Sequence, residues 1–295
     1  MSLELKSPCK VNLLLNILGK RPDGFHELET VMHPVPLHDR LSFRRGGQGI
    51  QLTCSDPSLP TDSKNLVHRA ASAFFQRFGI SEAVQIHLEK NIPHAAGLGG
   101  GSGNAATTLS GINQLFGSSA TPQNLFEIAS ALGSDVPFFL QNRPALATGR
   151  GEKIEPLDFF PAFRGFHILL VHPGFGISTP WSYQQLSRFP EALNGKSGRA
   201  LNLISLLRST DLKNAASAFY NSLEAPALNK YPLLAVIQEF FRQNGAVITL
   251  MSGSGSTTFA LTPDQSSGEE LREKFIAKFG ANFWAKVVPM SESAV

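Results

Sequence analysis

The chain has 295 residues, of which 42% are hydrophobic and 17% charged, with a formal net charge of +3. That balance describes a globular chain with a substantial core and length enough for two domains, and it is too weakly basic to mark a nucleic-acid partner. Cys9 and Cys54 form no metal or redox spacing, and the eight histidines carry no His-Glu-x-x-His pattern, so no resident metal is expected. No apolar run reaches the roughly 18 residues of a membrane span. The N-terminus lacks the apolar stretch of a signal peptide, and few cysteines favour a reducing compartment, so a cytoplasmic protein without a membrane partner is expected. No feature of the sequence points to an oligomeric state.

In chain order, Val11 to Leu18 is a strongly apolar run closed by Gly19 and the turn Arg21-Pro-Asp-Gly24, which predicts a buried strand and hairpin. Leu41 to Phe43 and Ile50 to Cys54 predict two short strands around Gly46-Gly47. Asn65 to Phe78 has helical spacing at Leu66, Ala70, Ala73 and Phe74 and is closed by Gly79. Val84 to Leu88 alternates as a half-buried strand does. Thr121 as cap and Pro122 as first residue open a helix that Gly133 stops, leaving Asp135 in a loop. Strands are then expected over His167 to Val171, Val247 to Met251, Thr257 to Leu261 and near Val287. Helices are expected over Leu234 to Phe241 and Glu269 to Phe279. The mixture lacks a regular βαβ alternation, so the class is α+β. Pro161 to Gly165 is the expected junction between an N-terminal domain, 1–160, and a C-terminal domain, 161–295.

The densest signal lies in Pro93-His-Ala-Ala-Gly-Leu-Gly-Gly-Gly-Ser-Gly-Asn104. Five of the seven residues from Gly97 to Gly103 are glycine, and an apolar-periodic helix, Ala105 to Phe116, follows at once. Glycines let main-chain N–H groups turn inward, and a helix N-terminus adds partial positive charge, which together make a cradle for phosphate. Ser102 stands where the helix should begin, to cap it or to reach a phosphate or its metal ion. No Gly-Lys-Ser/Thr closes the loop, so it is not a Walker A loop. The weaker dinucleotide variant Gly101-x-Gly103-x-x-Ala106 fits poorly, because Pro93 interrupts the approach and Glu127, the acidic residue about 20 positions on, falls inside an expected helix.

Lys10-Val-Asn12, the loop Pro93 to Ser102 and the late turn Ser252-Gly-Ser-Gly255, in that order, resemble the GHMP kinase superfamily. Ser7 to Leu13, Arg21-Pro-Asp-Gly-Phe-His26, Gly133-Ser-Asp-Val-Pro-Phe138 and the segment Pro173 to Pro180 resemble its branch acting on a cytidine diphosphate derivative of methylerythritol. The resemblance runs from about Leu5 to about Val288. It implies two α+β domains with the active site in the cleft between them, and transfer of phosphate from ATP, with Mg²⁺, to an alcohol of that small molecule in isoprenoid precursor synthesis. The alternatives are another GHMP kinase acting on mevalonate, homoserine or a sugar, and an ATP-binding regulator that transfers nothing.

By the same resemblance, Asp135 is the base and Lys10 the cation beside it. The residues Pro93, His94, Ala95, Ala96, Gly97, Leu98, Gly99, Gly100, Gly101, Ser102 and Gly103 cradle the ATP phosphates, and Asn65 lies near the adenine unless it serves only as a helix cap. His26 reads the cytosine edge, Phe25 and Tyr183 sandwich the base, and Asn12 and Thr179 contact the methylerythritol end. Gly253 and Gly255 let the late turn approach the loop or the acceptor, or form a plain hairpin. The chain departs from the family at Phe25, where tyrosine is usual, and at Gly103, where a second serine is usual; the latter implies a lost hydroxyl and a looser loop.

Overall fold

The computed structural model describes residues 2–117, 120–193, 195–209 and 211–290. Its first half runs β1 (Ser2–Lys20), β2 (His26–Arg45), β3 (Ile50–Cys54), α1 (Leu66–Phe78), β4 (Val84–Glu89), α2 (Gly100–Phe116), α3 (Pro122–Leu132), β5 (Ala145–Gly149) and β6 (Lys153–Pro156). The second runs β7 (His167–His172), α4 (Thr179–Gln185), α5 (Arg199–Leu207), α6 (Leu212–Ala215), β8 (Tyr220–Asn221), α7 (Glu224–Lys230), α8 (Pro232–Gln243), β9 (Ile248–Met251), β10 (Thr258–Thr262), α9 (Gln265–Phe279) and β11 (Trp284–Pro289).

The strands form two sheets. The larger has the order β3-β4-β2-β1-β8, with β5 pairing a different stretch of β2 and β6 pairing β5. The smaller is antiparallel, β11-β7-β10-β9. An α+β fold is what the irregular order of elements predicts.

The largest difference from the sequence expectation is the length of the first two strands. The apolar run at Val11 is only the buried middle of β1, because Ser2 to Lys6 alternates in exposure and extends the strand toward the N-terminus. Pro8 does not break β1, since the register against β2 shifts between Pro8 and Cys9, a place where a residue without an N–H is tolerated. β2 likewise runs on both sides of the short stretch at Leu41. It stays paired because β5 takes Leu28 to Met32 and β4 takes Arg40 to Arg45 along the same edge. The α1 and α3 boundaries follow their caps: Asn65 accepts from Val67 N, and Thr121 and Asn124 form a reciprocal capping box. The elements β5, β6, β8 and α4–α7 have no counterpart in the sequence expectation.

The helix after the glycine loop begins at Gly100, five residues before Ala105, with Gly99 as its cap. Ser102 therefore lies within the first turn and does not cap it. Glycine inside a helix costs about 1 kcal/mol relative to alanine, and close packing on β1 offsets that cost. A Cβ on Gly103 would lie 2.5 Å from the Pro8 carbonyl oxygen.

The halves meet through main chain and core alike. β8 joins the larger sheet in parallel beside β1, pairing Leu14 with Tyr220 and Leu15 with Asn221. One cluster of buried residues takes in Val11 and Leu13 of β1, Phe163, Ile168 of β7, Leu203 of α5 and Phe259 of β10. A second cluster packs α1, α2 and α3 on the larger sheet, and a third packs α8 and α9 on the smaller. Burying such side chains contributes roughly 1.5–3 kcal/mol each. That shared core holds the middle of β1 and the turn after β9 in one place.

Candidate active site

A cleft of about 1180 Å³ opens where α2, the loop before it, the β1–β2 turn and α4 converge. Its floor is β1. Successive side chains on a strand alternate faces, so Lys10 and Asn12 point the same way, and Lys10 Nζ donates to Asn12 Oδ1 at 2.6 Å. The same ammonium donates to the Gly97 carbonyl at 3.1 Å and lies 3.6 Å from Asp135 Oδ2. Lys10 is buried, whereas the Asp135 side chain is 42% exposed and lines the cleft. Gly133 ends α3, which is why Asp135 sits in a turn and faces open space.

Two glycine turns interlock above this floor. Gly97 has φ +79°, and a Cβ there would stand 2.0 Å from the Ser252 carbonyl oxygen. Ser252 Oγ donates to the Gly97 carbonyl at 3.0 Å and accepts from Asn12 N at 3.3 Å. Thr257 N donates to the Ala96 carbonyl at 3.1 Å, and Asn221 of β8 donates to the carbonyls of Met251 and Gly253. The turn Ser252–Ser256 thus abuts the loop closely, and a hypothetical Cβ on Gly253 would be 3.4 Å from Lys10 Nζ. Beneath the turn, Ser256 Oγ meets His172 Nδ1 at 3.2 Å. Burial, with a smaller contribution from His94, pushes His172 down to about 4.

Gly99 caps α2 with main chain only, without a side-chain oxygen, and the first turn carries no acidic residue. Its opening N–H groups have no acceptors within the helix, which suits an anion. Gly99, Gly100, Gly101 and Ser102 line the cleft there, as do Pro93, His94, Ala95, Ala96, Gly97 and Leu98. Gly103 does not. It faces β1, and its N–H bonds the Gly99 carbonyl at 2.9 Å, so glycine at this position tightens the packing of α2 and leaves no looser loop. The first turn of a helix presents only part of its circumference to any one cavity, and position 103 is on the far side.

At the other end lie Phe25, His26, Thr179 and Tyr183. Ser178 caps α4, and Thr179 and Tyr183 stand four residues apart on one face of it. Thr179 Oγ1 meets Ser254 Oγ at 2.9 Å. The His26 and Tyr183 rings lie 5.1 Å apart, tilted by 40°. Phe25, 55% exposed, instead carries the Arg150 guanidinium 4.6 Å over its ring. Burial and the charge of Lys20 hold His26 below its ordinary range, leaving a neutral ring with one donor and one acceptor nitrogen. Burial pushes the Tyr183 phenol upward, and nearby Asp135 adds to the effect.

Asn65 also lines the cleft, but its side chain is engaged as a cap, accepting from Val67 N at 2.9 Å and donating to the Pro60 carbonyl at 2.8 Å. Sequence reasoning passed over Lys20, Lys64, Lys90, Asn104 and Arg150, whose side chains add charge or amide groups to the lining. Lys90 and Asn104 flank the glycine loop closely, which was the available signal; nothing local marks Lys20 or Arg150. Among the described residues no group of three or more His, Cys, Asp or Glu side chains could hold a metal ion. Nor is any helix among them long and apolar enough to cross a membrane.

The family model described as GHMP kinases N terminal domain matches residues 65–143, and that described as GHMP kinases C terminal matches 203–282. The chain is similar to the 4-diphosphocytidyl-2-C-methyl-D-erythritol kinase of Pelotomaculum thermopropionicum, 41% identical over 90% of this chain and 91% of the relative. The kinase of the same name from Syntrophotalea carbinolica is 38% identical over 97% and 98% of the two chains. A crystal structure of a 4-(cytidine 5'-diphospho)-2C-methyl-D-erythritol kinase superposes with a TM-score of 0.81 at 34% identity, covering 97% of this chain and 99% of that one. A homoserine kinase from Cytophaga hutchinsonii shares the fold, with a TM-score of 0.74 at 19% identity over 99% and 96% of the two chains.

Proposed function

The chain belongs to the 4-diphosphocytidyl-2-C-methyl-D-erythritol kinases of the GHMP kinase superfamily, and from that premise we propose how its cleft transfers the γ-phosphoryl group of ATP to the 2-hydroxyl of that acceptor. The observation that carries the assignment of parts is the position of Lys10, whose ammonium reaches both the loop carbonyl of Gly97 and the carboxylate of Asp135. A single cation thus joins the phosphate cradle to a candidate base.

In this reading the loop from Pro93 to Ser102 and the uncapped start of α2 hold the nucleotide's phosphates through main-chain N–H groups. Phosphoryl transfer has a loose transition state, so positioning and charge neutralisation supply most of the acceleration. Asp135, partly open to the cleft, takes the proton of the acceptor hydroxyl as the new P–O bond forms. Lys10, fixed by Asn12 and Gly97, stabilises the oxygen as negative charge develops on it. The neutral His26 ring donates to and accepts from the cytosine edge, with Tyr183 packed beside it and Phe25 held under Arg150. Asn12 and Thr179 face the methylerythritol end, and Asn65 supports the adenine side through the cap it makes.

Mg²⁺ fits as an ion that arrives on the nucleotide, because the described side chains form no cluster able to hold it alone and Ser102 offers a hydroxyl beside the cradle. When bound it neutralises phosphate charge. The division into an ATP-binding half, 1–160, and a second half, 161–295, belongs to the same reading, with the two family models falling on either side of residue 160. A cytoplasmic setting fits Cys9 and Cys54, both free thiols.

The test is ADP release by purified protein with Mg-ATP and 4-diphosphocytidyl-2-C-methyl-D-erythritol, against controls without acceptor and with mevalonate. Turnover confined to the cytidyl acceptor is expected, and turnover with mevalonate would overturn the substrate. Asp135→Asn should lower kcat by about 10²–10⁴-fold while ATP binding stays within about twofold. Full activity in that variant removes Asp135 as the base.

A further inference from the structure

Asp39 is a carboxylate with no exposed surface, at the point where β2 passes under the nucleotide end of the cleft. Its Oδ1 accepts the main-chain N–H groups of Asn91 at 2.7 Å and Ile92 at 2.9 Å. Its Oδ2 accepts Asn104 Nδ2 at 2.9 Å and the Lys90 ammonium. Four donors use the acceptor capacity of an ionised carboxylate, and a buried charge of this kind persists only when so paired.

These donors share one property: all four belong to the two feet of the glycine loop. Lys90, Asn91 and Ile92 lead directly into Pro93, and Asn104 lies in the first turns of α2, on the loop's far side. The feet also touch, since a Cβ on Gly100 would stand 3.1 Å from the Ile92 side chain. Asn104 Nδ2 further donates to Ser7 Oγ at 3.0 Å, and Lys90 N donates to Ser55 Oγ at 2.8 Å, tying each foot to the sheet. Lys90 and Asn104 line the cleft, whereas Asp39 does not. Its bonds reach none of Phe25, His26, Thr179, Tyr183, Lys10 or Asp135.

We propose that Asp39 is a positioning residue for the nucleotide: by clamping both feet of the loop to β2 it sets the spacing of the phosphate cradle, and so ATP affinity, without touching the acceptor or the reacting atoms. The inference rests on the placement of ATP at the loop. Replacing one carboxylate oxygen by an NH2 group leaves either Lys90 and Asn104 or the Asn91 and Ile92 amides facing a donor, so the α2 foot drifts from the Asn91–Ile92 foot and the cradle widens. The acceptor end, built on the β1–β2 turn and α4, is unaffected.

Asp39→Asn is expected to raise the Kd for ADP, by calorimetry, and the KM for ATP by roughly ten- to a hundredfold, the scale of a hydrogen bond to a charged group. KM for the cytidyl acceptor should stay within about twofold. Phe275→Leu, in the core between α8 and α9, supplies a control that lowers Tm without reaching the cleft. It should leave the ratio of the two KM values at the wild-type level. Should asparagine prevent folding, Asp39→Glu keeps the charge but displaces it by one methylene, and the same one-sided rise is expected. A Tm loss with both KM values unchanged, or moved together as in the Phe275 control, would overturn the inference. Wild-type protein that binds ADP but fails to phosphorylate the cytidyl acceptor would sink the substrate assignment alone, because the ADP affinity of the Asp39 variants still decides the role of Asp39.

Discussion

The loop at residues 93–99 and the group of Phe25, His26 and Tyr183 line the same cleft but are held in place by different means. The loop is shaped by main chain: carbonyls of Ala96 and Gly97 accept bonds from Thr257, Ser252 and Lys10, and the opposing turn sits where a Cβ on Gly97 would be. The acceptor end is shaped by side chains, with a tilted ring pair, a guanidinium over an exposed phenyl ring, and a hydroxyl pair at Thr179 and Ser254. Main chain cannot be exchanged one residue at a time, so the first arrangement suits a ligand group common to many kinases. Side-chain recognition can change by substitution, so the second suits the part of the site that distinguishes acceptors.

The contrast predicts that one added methyl group does more harm at the nucleotide end than removal of a whole ring at the acceptor end. In Gly97→Ala, a φ of +79° alone costs about 1–2 kcal/mol for an L-residue, and the new Cβ must also clear the Ser252 carbonyl, so the two turns must part. Measured by calorimetry and thermal melting, ADP binding should weaken more than about a hundredfold with a lowered Tm. Near-normal ADP binding would mean that the interlock does not shape the cradle. His26→Ala ranks below it. In the proposed reading the imidazole hydrogen-bonds the bound acceptor, and loss of those bonds should raise acceptor KM by roughly tenfold with kcat and ATP KM nearly unchanged. A fall in kcat with unchanged KM would move His26 from recognition to the chemical step.

The same difference governs what could be read from the sequence. The glycine loop stands out as a candidate phosphate cradle because closely spaced glycines before a helix have few other uses, and Thr121-Pro122 with Gly133 places Asp135 in a turn, as the structure has it. Two details escaped. Gly100 to Gly103 look like loop by propensity but are helical, because packing against Pro8 and Ile92 outweighs the intrinsic cost of glycine there. Asp39 gives no local signal, since its partners are about 50 and 65 residues away in the chain. At the acceptor end, Phe25 is one of 22 phenylalanines and Arg150 stands alone after Gly149, so composition and spacing singled out neither. Only family resemblance pointed to Phe25 and Tyr183, as a pair flanking the base; the ring that packs on Tyr183 is that of His26, a contact the resemblance did not imply. The long strands were under-read for a third reason: Ser2 to Lys6 is half-polar, and strand pairing, not hydrophobicity, carries β1 and β2 past their apolar centres.

The smallest expected effect sharpens the comparison most. Phe25→Tyr restores the residue usual in the family at a position where the ring is already more than half exposed. The stacking face is kept, Arg150 can remain over it, and the added hydroxyl extends from an exposed ring whose main chain is fixed by the Asp23 carboxylate accepting from Phe25 N at 3.1 Å. An exposed substitution of this kind changes free energy by about 0.5 kcal/mol or less, so acceptor KM should move by no more than about twofold. If it instead falls tenfold in steady-state assays, the hydroxyl makes a bond that phenylalanine forgoes, and acceptor recognition at this end depends on hydrogen bonds more than on stacked rings. An unchanged value leaves the flat face of the ring, steadied by Arg150, as the feature that position 25 supplies.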